Sequence, residues 1–126
     1  MNMENPLEPV GRAAVAASRE LAALSPEEKA DALRLMAAGV RGAAGRIIRE
    51  NSLDMEEAEK NGRNAAFLDR LLLTPERVEH MACGMEQVAA LPDPVGECIR
   101  EWTRPNGLHI RQVRVPLGVI GFIYES

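Results

Sequence analysis

Aromatic residues, long apolar runs and excess positive charge are all missing from this sequence. Only 3% of its 126 residues are aromatic, so any core has to be built from Ala, Leu, Val and Met. No apolar run approaches the roughly 18 residues that a membrane-spanning helix needs. The net charge of −4 gives no general electrostatic reason to expect nucleic acid or an anionic membrane as a partner. The first residues lack the pattern of a secretory signal, so a cytoplasmic protein is expected.

Cysteine is also scarce, with Cys83 and Cys98 the two in the sequence. Two thiols in a cytosolic chain are expected to stay reduced rather than to form a disulfide. Cys83 follows His80 by three residues, which would put both on one helix face, but no second pair of ligands is present for zinc. His80 and His109 are therefore predicted to be structural or solvated, and no metal site is predicted.

Helical periodicity dominates roughly the first ninety residues. The buried face predicted for the first helix consists of Val10, Ala13, Ala14, Ala17, Leu21 and Leu24. Ser25 and Pro26 predict the start of a second helix, because serine caps free amides and proline suits the first helical position. Three glycines at positions 39, 42 and 45 predict a break near residues 42–45. Asn61-Gly62 predicts the end of the helix that follows.

Two more helices are predicted before the pattern changes. A short one covers residues 65–73, and Thr74-Pro75 then repeats the signal of a cap followed by proline. The apolar side predicted for the last helix consists of Val78, Met81, Ala82, Met85, Val88 and Ala89. The methionines have core spacing, and methionine is a common gap filler in cores.

A β-hairpin is predicted after Pro92 and Pro94, which cannot continue a helix. Its arms are residues 97–103 and 108–115, joined by a turn at Pro105-Asn106-Gly107. Charges fall on both faces of the arms, at Arg100, Glu101, His109, Arg111 and Arg114. Such a hairpin is expected to project and to pair with another chain or a distant segment.

The apolar run over residues 119–124 predicts a strand that is buried on both faces. A strand of this kind lies inside a sheet, so the chain is expected to be part of a larger enzyme. Gly118-Val119-Ile120-Gly121 leaves two interpretations open. The glycines permit close backbone approach in a crowded sheet, or the strand end borders a nucleotide, as in open α/β sheets.

Four long segments resemble the glutamate-5-semialdehyde dehydrogenase family, also called the γ-glutamyl phosphate reductases. They are residues 68–77 (LDRLLLTPER), 87–97 (QVAALPDPVGE), 102–108 (WTRPNGL) and 113–126 (VRVPLGVIGFIYES), with residues 16–21 and 51–54 also similar. The resemblance covers essentially the whole chain in the right order.

This resemblance implies an α/β fold of the aldehyde dehydrogenase superfamily. Residues 1–95 would be the N-terminal helical part of the cofactor domain, residues 96–115 an oligomerisation arm, and residues 116–126 the first strand of the Rossmann-like sheet, cut short. The family uses NADPH to reduce L-glutamyl 5-phosphate to L-glutamate 5-semialdehyde in proline biosynthesis, through a cysteine thiolate. Neither cysteine here matches that motif, so no catalytic residue is carried over and this chain is expected to be an inactive N-terminal fragment.

The resemblance also implies contacts. Ile123, Tyr124, Glu125 and Ser126 match the strand end that borders the cofactor, and they are the predicted cofactor-proximal residues. The implied partners are the small-molecule substrate, further copies of the enzyme through the hairpin, and glutamate kinase, with no nucleic acid and no membrane. The alternative is a non-catalytic helical interaction module that binds the full-length enzyme or its kinase partner.

Overall fold

The computed structural model describes residues 6–123, which form four helices followed by a two-stranded antiparallel sheet. The elements are α1 (Leu7–Ala23), α2 (Pro26–Lys60), α3 (Ala65–Leu71), α4 (Pro75–Ala89), β1 (Cys98–Thr103) and β2 (His109–Val113). The predicted order, helices and then a hairpin, is confirmed. None of the helices within the described range combines the length and apolarity needed to cross a membrane.

Two compact units make up the described chain. The central unit is Glu27–Leu91, and the terminal unit comprises residues 6–26 and 92–123. The functional division predicted at residues 95 and 115 stays a prediction, because it concerns roles in a larger enzyme.

The helix α1 forms where it was predicted, but its apolar face is not buried. Val10 and Leu21 are exposed, and no residue of α1 is buried. An alanine-rich sequence favours the helix itself, whereas burial needs a surface to pack against. The periodicity therefore predicted the helix correctly and its burial wrongly.

The helix α2 is continuous through 35 residues, so the predicted break near residues 42–45 is wrong. A glycine inside a helix costs only up to about 1 kcal/mol relative to alanine. Burial of Ala37, Asn51 and Ala58 along the same helix outweighs that cost. The predicted end is confirmed by Gly62, which has a φ of 69°.

Substitution of Gly62 and of Gly42 by alanine is expected to change stability in opposite directions. Alanine at position 62 would be strained by the positive φ and should lower the free energy of unfolding by about 1 kcal/mol. Gly42 is helical, and nothing beyond the neighbouring backbone of its own helix lies within 4 Å of an added methyl group. Alanine at position 42 should therefore raise the free energy of unfolding by about 0.5–1 kcal/mol. Urea titrations of both variants measure the difference. Shifts of the same sign would contradict the assignment of these two conformations.

The connections around α3 are fixed by polar caps. The Asn64 side chain accepts the Phe67 N–H at 2.9 Å, and the Thr74 hydroxyl accepts the Arg77 N–H at 3.2 Å. Arg77 donates to the Asp69 and Leu72 carbonyls, which satisfies the end of α3. The Thr74-Pro75 prediction is confirmed, while α3 ends two residues earlier than predicted.

The core of the central unit consists of small side chains. Its buried apolar residues are Ala37, Ala58, Val78, Ala82 and Ala89. Met81 and Val88, predicted to be buried on α4, are exposed, whereas Met85 is half-buried. Four of these five buried residues are alanines, so the longer side chains of α4 contribute less to the core than predicted.

The strands β1 and β2 pair in the predicted hairpin. Trp102 lies opposite Ile110, and Thr103 lies opposite His109. The Gly107 N–H donates to the Arg104 carbonyl at 2.9 Å, and the Arg104 N–H donates to the Leu108 carbonyl at 2.8 Å. Gly107 has a φ of 83°, which glycine adopts without strain. The predicted turn is confirmed.

The segment after β2 continues beyond the hairpin without strand pairing in the described residues. Residues 114–123 form no strand, and the side chains of Ile120 and Ile123 are 60% and 99% exposed. A strand needs hydrogen-bonded neighbours, and the sheet formed by the described residues contains only β1 and β2. Because the strand was predicted to lie inside the sheet of a larger enzyme, its burial stays a prediction for residues 119–123, and Tyr124 lies outside the described residues.

Candidate functional site

An ion-pair cluster links α2 to α4 inside the central unit. The guanidinium of Arg41 donates from Nε and Nη2 to the carboxylate of Glu79, at 2.9 and 2.7 Å. Its Nη2 also donates to Glu86 Oε2 at 2.9 Å. Glu79 and Glu86 are seven residues apart on α4, so both project from one side of that helix. We call these three residues the arginine clamp.

The arginine clamp holds its members in their charged forms. Hydrogen bonding from Arg41 lowers the pKa of Glu79 to about 2 and also lowers the pKa of Glu86. Hydrogen bonds to Glu86 and Glu79 raise the pKa of Arg41 above its ordinary value. A general acid or base needs a pKa near the working pH. The clamp therefore serves as a structural link between helices rather than as a proton-transfer group.

The thiol of Cys83 is held by the same cluster. Its Sγ donates to Glu79 Oε1 at 3.3 Å, and this hydrogen bond raises the pKa of the thiol. A nucleophilic cysteine needs a lowered pKa, and the shift at Cys83 is in the opposite direction. Cys83 and Cys98 are both free thiols. Within residues 6–123, no group of three or more His, Cys, Asp or Glu side chains is arranged to hold a metal ion.

The arginine clamp predicts a specific pH dependence of stability. Its carboxylates have folded-state pKa values below the ordinary 4.5, with that of Glu79 near 2. Their contribution is therefore present above about pH 4.5 and is lost as the pH falls toward 2. Urea midpoints measured across this range should fall for the unmodified chain and fall less for Arg41→Gln. Because the side chains are partly exposed, salt should weaken the difference. Identical pH profiles would contradict the role of the clamp.

Asn51 fastens the connection between α3 and α4 to α2. Its side chain is buried, with 5% of the residue exposed. Asn51 Nδ2 donates to the Leu71 carbonyl at 2.9 Å, and the Leu73 N–H donates to Asn51 Oδ1 at 2.7 Å. The amide donor and the amide acceptor of Asn51 are thus each paired with a backbone group in the connection between helices. We call this pair of bonds the Asn51 lock.

A shallow surface groove of about 440 Å³ lies beside the Asn51 lock. It is lined by Arg46, Ile47, Glu50, Asn51, Asp54 and Leu73. The lining offers carboxylates and one guanidinium but no thiol, hydroxyl or imidazole.

The hairpin carries charged contacts on its surface. Glu101 contacts His109 Nε2 at 3.1 Å and Arg111 Nε at 3.2 Å. Arg100 lies over the ring of Trp102, with 4.6 Å between the guanidinium carbon and the ring centroid. The five predicted charged residues are all exposed, and Trp102 is half-buried. These contacts lie at the exposed surface of the hairpin and stabilise it there.

The predicted cofactor-proximal residues are mostly beyond what the structure describes. Ile123 is exposed, and Tyr124, Glu125 and Ser126 lie outside the described residues. Their proximity to a cofactor stays a prediction. The roles of Arg41 and Asn51 were not predicted from the sequence. An arginine among alanines and glycines, and two glutamates seven residues apart on the last helix, were the available signals for the clamp.

Comparisons with known proteins identify what these features resemble. No family model matches the chain. The chain is 52% identical over 110 residues to "Gamma-glutamyl phosphate reductase" of Anoxybacillus flavithermus, covering 87% of this chain and 27% of that protein. It is 54% identical over 117 residues to the protein of the same name from Brucella anthropi, covering 93% of this chain and 27% of that protein.

Solved structures agree with these relatives. The crystal structure of the Thermotoga maritima gamma-glutamyl phosphate reductase matches with a TM-score of 0.84 and 33% identity, over 89% of this chain and 27% of that one. The Saccharomyces cerevisiae enzyme of the same name matches with a TM-score of 0.80 and 28% identity, over 89% of this chain and 29% of that one.

The helices and hairpin have the architecture of the N-terminal region of an α/β reductase. More particularly, the chain is homologous along most of its length to the N-terminal portion of the γ-glutamyl phosphate reductases. The resemblance and the fold class predicted from the sequence are both confirmed. The chain spans 27% of the length of the curated relatives described above.

Proposed function

We propose that this chain forms the N-terminal part of a γ-glutamyl phosphate reductase that acts in proline biosynthesis. The complete enzyme would use NADPH to reduce L-glutamyl 5-phosphate to L-glutamate 5-semialdehyde, with release of phosphate. The observation that carries the proposal is identity of 52% and 54% to curated reductases over most of this chain. The activity is proposed for the whole protein, because the chain spans 27% of those relatives.

In that enzyme, the central unit would act as a scaffold. Its charged cluster pairs Arg41 with two glutamates, and Glu79 accepts a hydrogen bond from Cys83 Sγ that raises the pKa of the thiol. Reduction of an acyl phosphate through a thioester needs a low-pKa cysteine thiolate. We therefore expect the 126-residue chain to be inactive by itself. The nucleophile would be supplied by a part of the enzyme that this chain does not contain.

In the terminal unit, the hairpin would pair with another copy of the enzyme. Support comes from its two-stranded form, since the described residues leave its outer edges without a further strand. An open edge presents backbone groups that a strand of a second chain can pair with. We also propose that Ile123, together with Tyr124, Glu125 and Ser126, lies near NADPH. Support comes from the resemblance of residues 113–126 to the reductase family.

A chimeric gene tests the proposed function in cells. In the chimera, residues 1–126 replace the matched N-terminal residues of a curated relative such as the Geobacillus kaustophilus reductase, to which this chain is 54% identical over 110 residues. We expect the chimera to restore growth without proline to a bacterium that lacks its own reductase gene. A chimera that is produced in soluble form and does not restore growth would contradict the proposal.

A non-catalytic interaction module is the second candidate. It is favoured by exposed apolar side chains on α1 and in the segment after β2, among them Leu7, Leu117 and Ile120. Purified chain and intact reductase, or chain and glutamate kinase, can be mixed and examined for a complex by analytical ultracentrifugation. A specific complex, together with a chimera that fails to support growth, would favour the module over the enzyme part.

A further inference from the structure

The chain contains two Asn-Gly pairs, and the fold holds them in different surroundings. Asn61-Gly62 ends α2, whereas Asn106-Gly107 forms the tip of the hairpin. In such a pair the glycine nitrogen can attack the asparagine carboxamide, because glycine has no side chain to obstruct the approach. We propose that Asn106 is a site of spontaneous deamidation and that it reacts faster than Asn61.

The geometry at the hairpin tip holds the reacting groups together. Asn106 is exposed, and its Oδ1 accepts the Leu108 N–H at 3.2 Å. This bond folds the carboxamide back over the peptide that contains the Gly107 nitrogen. It also draws electron density onto Oδ1, where negative charge develops during the attack, as donors in an oxyanion hole do. Apart from Gly107 itself and its two chain neighbours, nothing lies within 4 Å of the position that a Gly107 Cβ would occupy.

The reaction needs only water and a base. The Gly107 nitrogen loses its proton and forms a bond to Cγ of Asn106. The bond from Cγ to Nδ2 then breaks, and Nδ2 leaves as ammonia after taking up a proton, which gives a cyclic succinimide. Water opens the ring at either carbonyl and gives aspartate or isoaspartate at position 106. No oxidant, reductant or further reactant takes part.

Asn61 has the same two residues in a more resistant setting. The N–H groups of Asn61, Gly62 and Arg63 donate to the carbonyls of Glu57, Glu59 and Ala58 at 3.0, 2.9 and 3.1 Å. Ring closure there must unwind the last turn of a 35-residue helix. At the hairpin tip, ring closure must release the bond from the Gly107 N–H to the Arg104 carbonyl. The smaller disruption makes Asn106 the faster site.

Deamidation would change the hairpin in two ways. It adds a negative charge two residues from Arg104, and isoaspartate adds a methylene group to the main chain within the turn. The turn is closed by the bond from the Arg104 N–H to the Leu108 carbonyl at 2.8 Å, next to the Thr103 and His109 pair. A longer main chain at this point weakens that closure, so amide exchange at Ile110 should become faster in the isoaspartate form.

The purified chain tests the proposal directly. It is incubated at mildly alkaline pH and physiological temperature, and digested samples are followed by mass spectrometry and by labelling with an isoaspartyl methyltransferase. We expect aspartate and isoaspartate to accumulate at position 106 several times faster than at position 61. Asn106→Gln should lose the signal at position 106 and keep that at position 61. Equal rates at the two sites, a faster rate at Asn61, or no conversion at Asn106 would overturn the proposal.

Discussion

Asn51→Ala is expected to lower the free energy of unfolding of the central unit by about 2–4 kcal/mol. The substitution removes both bonds of the Asn51 lock and leaves the Leu73 N–H and the Leu71 carbonyl without their partner. A buried backbone group without a partner costs about 1–3 kcal/mol, which is more than the loss of an exposed hydrogen bond. Urea denaturation followed by circular dichroism measures the loss.

Ser52→Ala is the matched control for this prediction. Ser52 is the next residue on the same helix, and its hydroxyl is exposed and donates to the Ile48 carbonyl of its own helix at 2.9 Å. Its removal should change stability by no more than about 0.5 kcal/mol. Hydrogen exchange of the amides near Leu73 should accelerate in Asn51→Ala and not in Ser52→Ala. Similar urea midpoints for the two variants would contradict the lock.

Ala37→Leu is expected to destabilise the central unit by about 1–3 kcal/mol. Ala37 is 0% exposed, so three added carbons have to displace neighbouring atoms in a core of small residues. Ala38 is the adjacent residue and is exposed, so Ala38→Leu provides the same change of side chain in the same helix. That control should shift stability by at most about 0.5 kcal/mol.

Thermal and urea denaturation of the two leucine variants separate packing from helix propensity. Propensity is the same for both, because each replaces alanine with leucine within one helix. A clear loss of stability in Ala37→Leu alone would support burial of the face of α2 that contains Ala37. Equal losses, or a larger loss in Ala38→Leu, would show that α2 packs through a different face.

Local signals in the sequence were sufficient to predict the caps and turns. Thr74 before Pro75, Gly62 after Asn61 and the turn at Pro105-Asn106-Gly107 each act through a few neighbouring residues, and the structure confirms all three. Their effects depend on backbone geometry that is the same in any fold. These features could therefore be predicted without knowledge of tertiary contacts.

Features that depend on distant residues were predicted poorly. The break near residues 42–45 was inferred from glycine propensity, which burial along α2 overrides. The buried strand over residues 119–124 was inferred from apolarity and stays a prediction, because its burial depends on strands beyond the two that the described residues form. The arginine clamp joins residues 38 and 45 positions apart, so a scan of local spacing could not predict it.

The predicted cofactor-proximal residues, 123–126, came from the family resemblance rather than from the chemistry of the residues themselves. Arg41, Cys83 and Asn51 provide structural contacts, and the described residues contain no group of three or more His, Cys, Asp or Glu side chains that could hold a metal ion. The family resemblance supplied the proposed activity, cofactor and substrate. The similarity to curated and solved reductases extends over most of the chain and therefore supports that resemblance.

The most direct measurement of the central claim is the activity of the purified chimera that carries residues 1–126 of this chain. The assay runs in reverse, because L-glutamyl phosphate is labile, and follows phosphate-dependent reduction of NADP⁺ by glutamate 5-semialdehyde. We predict a rate close to that of the parent reductase and no reaction with the 126-residue chain alone. A folded chimera that binds NADPH but fails to catalyse the reaction would contradict the claim that this chain is the N-terminal part of such a reductase.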